Sequence, residues 1–218
     1  MKGQWKNNLA DGRGEIRYAE GDIYEGEWAE NKAHGQGKYT NCEGSVYVGE
    51  WFKDTRHGQG EEFWVDGAKF KGEFEKGLKN GPGKLCFVDG SVFEGVFIKG
   101  EIEGIGTYTW PCGKVYSGEW KKNTMNGKGV MKFEDGRKYE GMFKSGKMHG
   151  KGKLEWPDGR AYSGQWYKGL QNGVGVFTFV TGRMKKGEWV RGKHAKWLDT
   201  ASNHGEEKGD DSMASERV

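Results

Sequence analysis

The chain has 218 residues, of which 40 are glycine, 33% are hydrophobic and 14% are aromatic, with a formal net charge of +3. So few aliphatic residues exclude an ordinary Leu/Ile/Val core, and so many rings exclude a disordered chain. The mild charge argues against a nucleic-acid partner, although residues 199–218 hold six acids and two bases and so leave the rest of the chain at +7. Cys42, Cys86 and Cys112 are odd in number and form no CxxC, so they read as free thiols of a reducing compartment. With no apolar run of membrane-spanning length and no signal-like start, the expectation is a soluble, cytoplasmic protein.

Taken in chain order, the first recognisable element is an aromatic-x-Gly-x-aromatic segment. It stands at Tyr24-Gly26-Trp28 and returns every 23 residues, through Tyr47-Gly49-Trp51 and Phe70-Gly72-Phe74, as far as Tyr162-Gly164-Trp166. Met1-Gly3-Trp5 and Lys185-Gly187-Trp189 keep the phase without a leading ring. A Gly-x-Gly segment follows in each repeat, from Gly12 to Gly173 at the same interval, and then a lone glycine, from Gly21 to Gly182. Self-similarity at a fixed interval is the mark of a repeat array.

Alternation with period two makes both segments strands. At the lone glycine, Pro157-Asp158-Gly159 fits a three-residue hairpin loop, with Gly159 left-handed and Leu154 opposite Tyr162. A two-residue loop would put Tyr162 out of register with the aromatic face. The other connection carries Asn, Asp or Gly at one phase (Asn8, Asn31, Asp54, Gly77), which predicts positive φ. A loop centred there places Trp28 opposite Gly37, with the indole lying across the glycine, and pairs Glu27 with Lys38.

The expected fold is therefore all-β: an elongated single-layer antiparallel meander of hairpins, twisted or curled, with no closed globular core. Residues 1–192 form the array and residues 193–218 a polar, acidic, disordered tail. Three departures stand out. Pro82 removes a strand donor and predicts a local irregularity. Glu62 takes an inward phase with Phe63 outward, which raises a bulge there. Lys196 replaces an expected glycine, so the array ends near Gly192.

"YSGEWKKNTMNGKGVMKFEDG" (116–136) resembles the MORN repeat, whose pattern is close to YxGxWxxGxxxGxGxxxxxDG, and the resemblance covers roughly residues 1–192. It implies a β-array that acts as a scaffold or binding module and is not catalytic. In some relatives such arrays accompany lipid kinase or SET methyltransferase domains, and stand-alone arrays are often cytoskeletal or ciliary. Beside that resemblance, the residues themselves offer no enzyme, cofactor or metal. Gly-x-Gly recurs without a helix, so it is no phosphate loop. His34, His57 and His149 share one repeat phase with Asn80, Asn126 and Asn172, which marks a turn-edge role. Asp66, Asp89, Asp135 and Asp158 are turn residues.

The aromatic stripe is the one constellation with functional promise. A single layer leaves its rings for something else to cover. The leading expectation is a non-enzymatic scaffold that binds a protein helix or extended peptide in a concave aromatic groove made by Tyr47, Trp51, Tyr116, Trp120, Tyr162 and Trp166, with Trp110 and Trp156 on neighbouring strands. A second copy of the sheet, making a homodimer, could cover the same face. The competing expectations are peripheral binding to an anionic phosphoinositide membrane, from the basic body and the family name, and a regulatory region of a lipid kinase or methyltransferase. No catalytic domain fits after residue 192.

Overall fold

The computed structural model describes residues 2–198. Nine hairpin pairs alternate short-turn and long-loop connections. They are β1 (Lys2–Lys6) with β2 (Leu9–Arg17), β3 (Ile23–Ala29) with β4 (Lys32–Thr40), β5 (Val46–Phe52) with β6 (Thr55–Phe63), β7 (Lys69–Glu75) with β8 (Leu78–Cys86), and β9 (Val92–Ile98) with β10 (Glu101–Thr109). The remainder are β11 (Val115–Lys121) with β12 (Thr124–Lys132), β13 (Lys138–Lys144) with β14 (Lys147–Glu155), β15 (Ala161–Tyr167) with β16 (Leu170–Thr178), and β17 (Met184–Val190) with β18 (Lys193–Trp197). The described residues hold no helix, and their strands form one antiparallel 18-stranded sheet, a meander that does not close into a barrel.

The described residues divide into two compact units: residues 2–112 with Trp120–Asn123, and Gly113–Glu119 with residues 124–198. Within the first, β1 to β10 pair in chain order; within the second, β12 to β18 do so.

The long loops follow the sequence reading. Leu154 faces Tyr162. The Gly159 amide donates to the Trp156 carbonyl at 3.0 Å, the Trp156 amide donates to the Arg160 carbonyl at 2.9 Å, and Gly159 has φ +90°. That is a type I turn closed by a left-handed glycine.

The short turns differ from expectation. Glu30 and Asn31 both have positive φ, 50° and 68°, so the connection is a two-residue turn of type I′. The predicted positive φ at Asn31 holds, but Trp28 faces Ala33, not Gly37. Gly37 faces Gly26, and β4 carries two surplus residues in the bulge between these pairs. A surplus of two keeps the alternation of faces, so inward residues stay inward on both sides of it. The same surplus displaces the expected charge pair: Lys38 faces Glu25, and Glu27 faces Arg13 on the preceding strand.

Pro82 lies in this bulge, but the β3–β4, β5–β6, β13–β14 and β15–β16 pairs have the same one without a proline, so the proline is not its cause. At the same phase the amides of Gln59 and Lys128 donate to side chains, Glu50 at 2.9 Å and Glu119 at 3.0 Å, not to the sheet ladder. A proline there removes no ladder bond, and Pro82 faces Val96 in regular register. Glu62 also sits without an added bulge, facing Tyr47 on one side and Phe70 on the other.

Pairing continues past the boundary expected at Gly192. β18 pairs with β17, and the His194 ring lies tilted against Trp197 at 4.0 Å, so rings replace the missing Gly-x-Gly segment at this end. The tail expected at 193–218 thus begins with a strand; residues 199–218 lie outside the described residues.

Candidate functional site

The repeat's aromatic residues form a ladder within the sheet. Tyr24 meets Trp28 at 5.0 Å and Trp51 at 5.1 Å, edge to face. Tyr47 continues to Trp51 and Phe74, Phe70 to Phe74 and Phe97, and Phe93 to Phe97 and Trp120. In the second unit the ladder runs Tyr116–Phe143–Tyr139–Trp166–Tyr162–Trp189. Edge-to-face pairs at this spacing add about 0.5–1.5 kcal/mol beyond area burial.

The glycines explain why the rings can lie flat. A Cβ on Gly37 would sit 2.4 Å from the Tyr24 hydroxyl oxygen, and one on Gly26 would sit 2.6 Å from the Gly37 Cα. Room for a ring over glycine was expected; its occupant is the tyrosine, not the tryptophan. Folded along its own strand, Tyr24 donates its hydroxyl to the Glu27 carbonyl at 2.9 Å, opposite the bulge. Tyr47, Tyr116, Tyr139 and Tyr162 repeat the bond at 2.9–3.1 Å. Trp28, Trp51, Trp120 and Trp166 reach the other way and donate Nε1–H to glycine carbonyls 14 residues earlier. Burial pushes Tyr47, Tyr116 and Tyr162 up to about 12, in Tyr47 against the pull of the Arg56 cation.

Of the residues singled out for contact, Tyr47, Tyr116, Trp120, Tyr162 and Trp166 are therefore buried within the sheet, Tyr116 and Tyr162 at 0% exposure. Trp51, Trp110 and Trp156 are half-buried. The accessible rings form a second row on the same face, near the long loops: Tyr39, Trp64, Phe87, Tyr108 and Trp110 in the first unit, and Phe133, Trp156 and Phe179 in the second. Three depressions, of about 340, 470 and 430 Å³, lie along this row in the first unit. The two at one end share Tyr39, Trp51 and Asp54; the third is walled by Trp64, Leu85, Phe87 and Tyr108.

A charged cluster interrupts the row. Glu62, its side chain 14% exposed, accepts from Arg56 Nη1 at 2.6 Å and Lys79 Nζ at 2.8 Å. Arg56 lies over the Tyr47 and Phe74 rings, and Lys79 over Trp64 and Phe70. Arg56 and Lys79 occupy the phase held by Ala10, Ala33, Ile102 and Met125 elsewhere. Three charges at two otherwise apolar phases of neighbouring repeats were the available signal for this cluster. The sequence reading took up only Glu62.

The histidines and aspartates have local partners. His34 and His57 lie against Phe52, and His149 against Tyr167. Asp66, Asp89, Asp135 and Asp158 each accept the backbone N–H two residues on. Among the described residues no group of three His, Cys, Asp or Glu could hold a metal, and the three cysteines are free thiols.

Hairpins of fixed length, with a Tyr/Trp ladder laid over paired glycines, define a single-layer β-repeat protein. The MORN repeat family matches eight times, at residues 2–23, 24–46, 47–69, 70–92, 93–114, 116–136, 139–159 and 162–182, and the chain belongs to that family. No curated protein matches it. Among solved structures it is similar to the TCP10 domain of Danio rerio CPAP, over 87% of this chain and 90% of that one, at 13% identity and TM-score 0.49. It is also similar to the SAS-4 (dCPAP) TCP domain of Drosophila melanogaster, solved in complex with a proline-rich motif of Ana2 (dSTIL), over 80% and 88%, at 10% identity and TM-score 0.47.

Proposed function

We propose that the chain is a non-enzymatic scaffold that holds a protein partner, a helix or an extended peptide, along the second aromatic row. The observation that carries this reading is the division of labour between rings. One row is sealed and holds the sheet together; the next is half-exposed and lines three depressions in the first unit. Half-exposed aromatics in concave sites are the usual anchors of protein contacts. The repeated histidines and aspartates have bulge and turn roles, which supports a binding role over a catalytic one. A cytoskeletal or ciliary setting is part of this proposal, and imaging of the tagged chain tests it.

The test is a Trp64→Ala, Phe87→Ala variant. It should keep the β circular dichroism spectrum and lose a partner identified by affinity capture and then rebuilt from purified components. Unchanged affinity in that reconstituted complex contradicts the proposal, and recruitment to anionic vesicles alone would replace it with membrane binding.

A further inference from the structure

One end of the groove carries a chemistry that the rest of the array lacks. Tyr18, Tyr39 and Trp51 wall the depression of about 430 Å³ in the first unit, and Glu20, Asp22 and Asp54 border it. Tyr18 is 43% exposed, so its ring is open to a ligand. Both aspartates are fixed in place. Asp22 accepts the Tyr39 hydroxyl and, at 2.8 Å, the Cys42 amide, and Asp54 accepts the Ala33 amide at 2.7 Å. The hydrogen bond from Tyr39, then that from Cys42, holds the Asp22 carboxyl below its ordinary range. Neighbouring arginines are engaged elsewhere, Arg17 with Glu15 and Arg56 with Glu62.

The fold does not need these charges. Asn31 and Asn123 stand at the phase of Asp54 and accept the equivalent amides, of Ala10 and Ile102, at the same 2.7 Å. Ser45, Ala68 and Ser91 stand at the phase of Asp22. The carboxylates are thus surplus to the turn geometry, and they flank aromatic faces that attract a cation electrostatically.

We propose that this end of the groove takes a lysine or arginine side chain of the bound partner peptide, its cationic head over Tyr18, Tyr39 and Trp51 with Asp22 and Asp54 on either side. The inference rests on the groove reading and adds the partner's chemistry: a basic residue at this end, with apolar residues toward Trp64, Phe87 and Tyr108.

A randomised library of twelve-residue peptides, selected on the full chain, tests it. Binders should be enriched in Lys or Arg, and replacing that residue by an uncharged isostere (citrulline for arginine, norleucine for lysine) should weaken them by about tenfold, the scale of two partly exposed charge contacts. Asp22→Asn with Asp54→Asn, with thermal stability unchanged, should weaken the basic peptides by the same factor and leave the uncharged ones unaffected. Binders that depend on Trp64 and Phe87 but ignore both the basic residue and the two aspartates overturn this inference and leave the groove standing. A library that yields no binder sensitive to Trp64→Ala, Phe87→Ala overturns both.

Discussion

A methyl group added at Gly49 would lie 2.5 Å from the Cα of Gly60, backbone against backbone, with nothing flexible to move. Gly49→Ala should therefore cost about 3 kcal/mol in chemical denaturation, at the upper end for overpacking. Gly159→Ala meets open space but keeps φ +90°, and should cost only about 1–2 kcal/mol, the strain of one left-handed residue. The ladder hydroxyls make a second residue-scale prediction. Tyr139→Phe leaves the Met142 carbonyl without its 3.0 Å donor, at about 1 kcal/mol. Phe93→Tyr points a hydroxyl toward the equivalent Val96 carbonyl and should be neutral or stabilising. Titration follows from the same burial. Tyr47, Tyr116 and Tyr162 stay protonated to about pH 12 when folded, while unfolded tyrosines ionise near 10. Above pH 10 the unfolded chain binds fewer protons, so stability present below 10 is lost as pH rises toward 12. These three rings should accordingly add their phenolate absorbance together with loss of the β spectrum, not before it, in a step separate from whatever the exposed Tyr18 and Tyr167 contribute.

At the scale of strands and turns, legibility split between the two connections. The long loop could be read because an odd loop is the only one that keeps Leu154 and Tyr162 on one face, and Pro-Asp-Gly names the turn. The short turn could not be read to the residue. Glu30, Lys53 and Ser145 take positive φ although nothing in their chemistry favours it, and the bulge hides two residues without changing parity. The aromatic face was legible from alternation, but which rings are sealed depends on tyrosine folding back over two glycines, a three-dimensional fact that spacing does not carry. The Arg56–Glu62–Lys79 cluster belongs to this scale too. Arg56→Met with Lys79→Ile strands a nearly buried carboxylate and should cost about 3 kcal/mol; adding Glu62→Leu, the residue type of Leu85 and Leu154 at that phase, should restore stability to wild type or above. Thermal and denaturant unfolding of the three chains measures it.

For the whole molecule, a repeat array is stabilised mainly by each hairpin against its neighbours. Deleting residues 47–69, one full interval, should leave a folded β protein of lower stability. Deleting 48–69 shifts every later side chain to the wrong face and should give an unfolded or aggregated product. Circular dichroism with size-exclusion chromatography separates the two outcomes. The proposed capacity to bind rests on the same economy: one row of rings holds the sheet and frees the next. Trp166→Ala and Trp64→Ala test that separation most directly, with unfolding free energy and partner affinity measured on both. Trp166→Ala should cost about 3–5 kcal/mol of stability, whereas Trp64→Ala should leave stability within about 1 kcal/mol and abolish partner binding. A Trp166→Ala chain as stable as wild type, or a Trp64→Ala chain that unfolds or still binds at full affinity, would contradict the account.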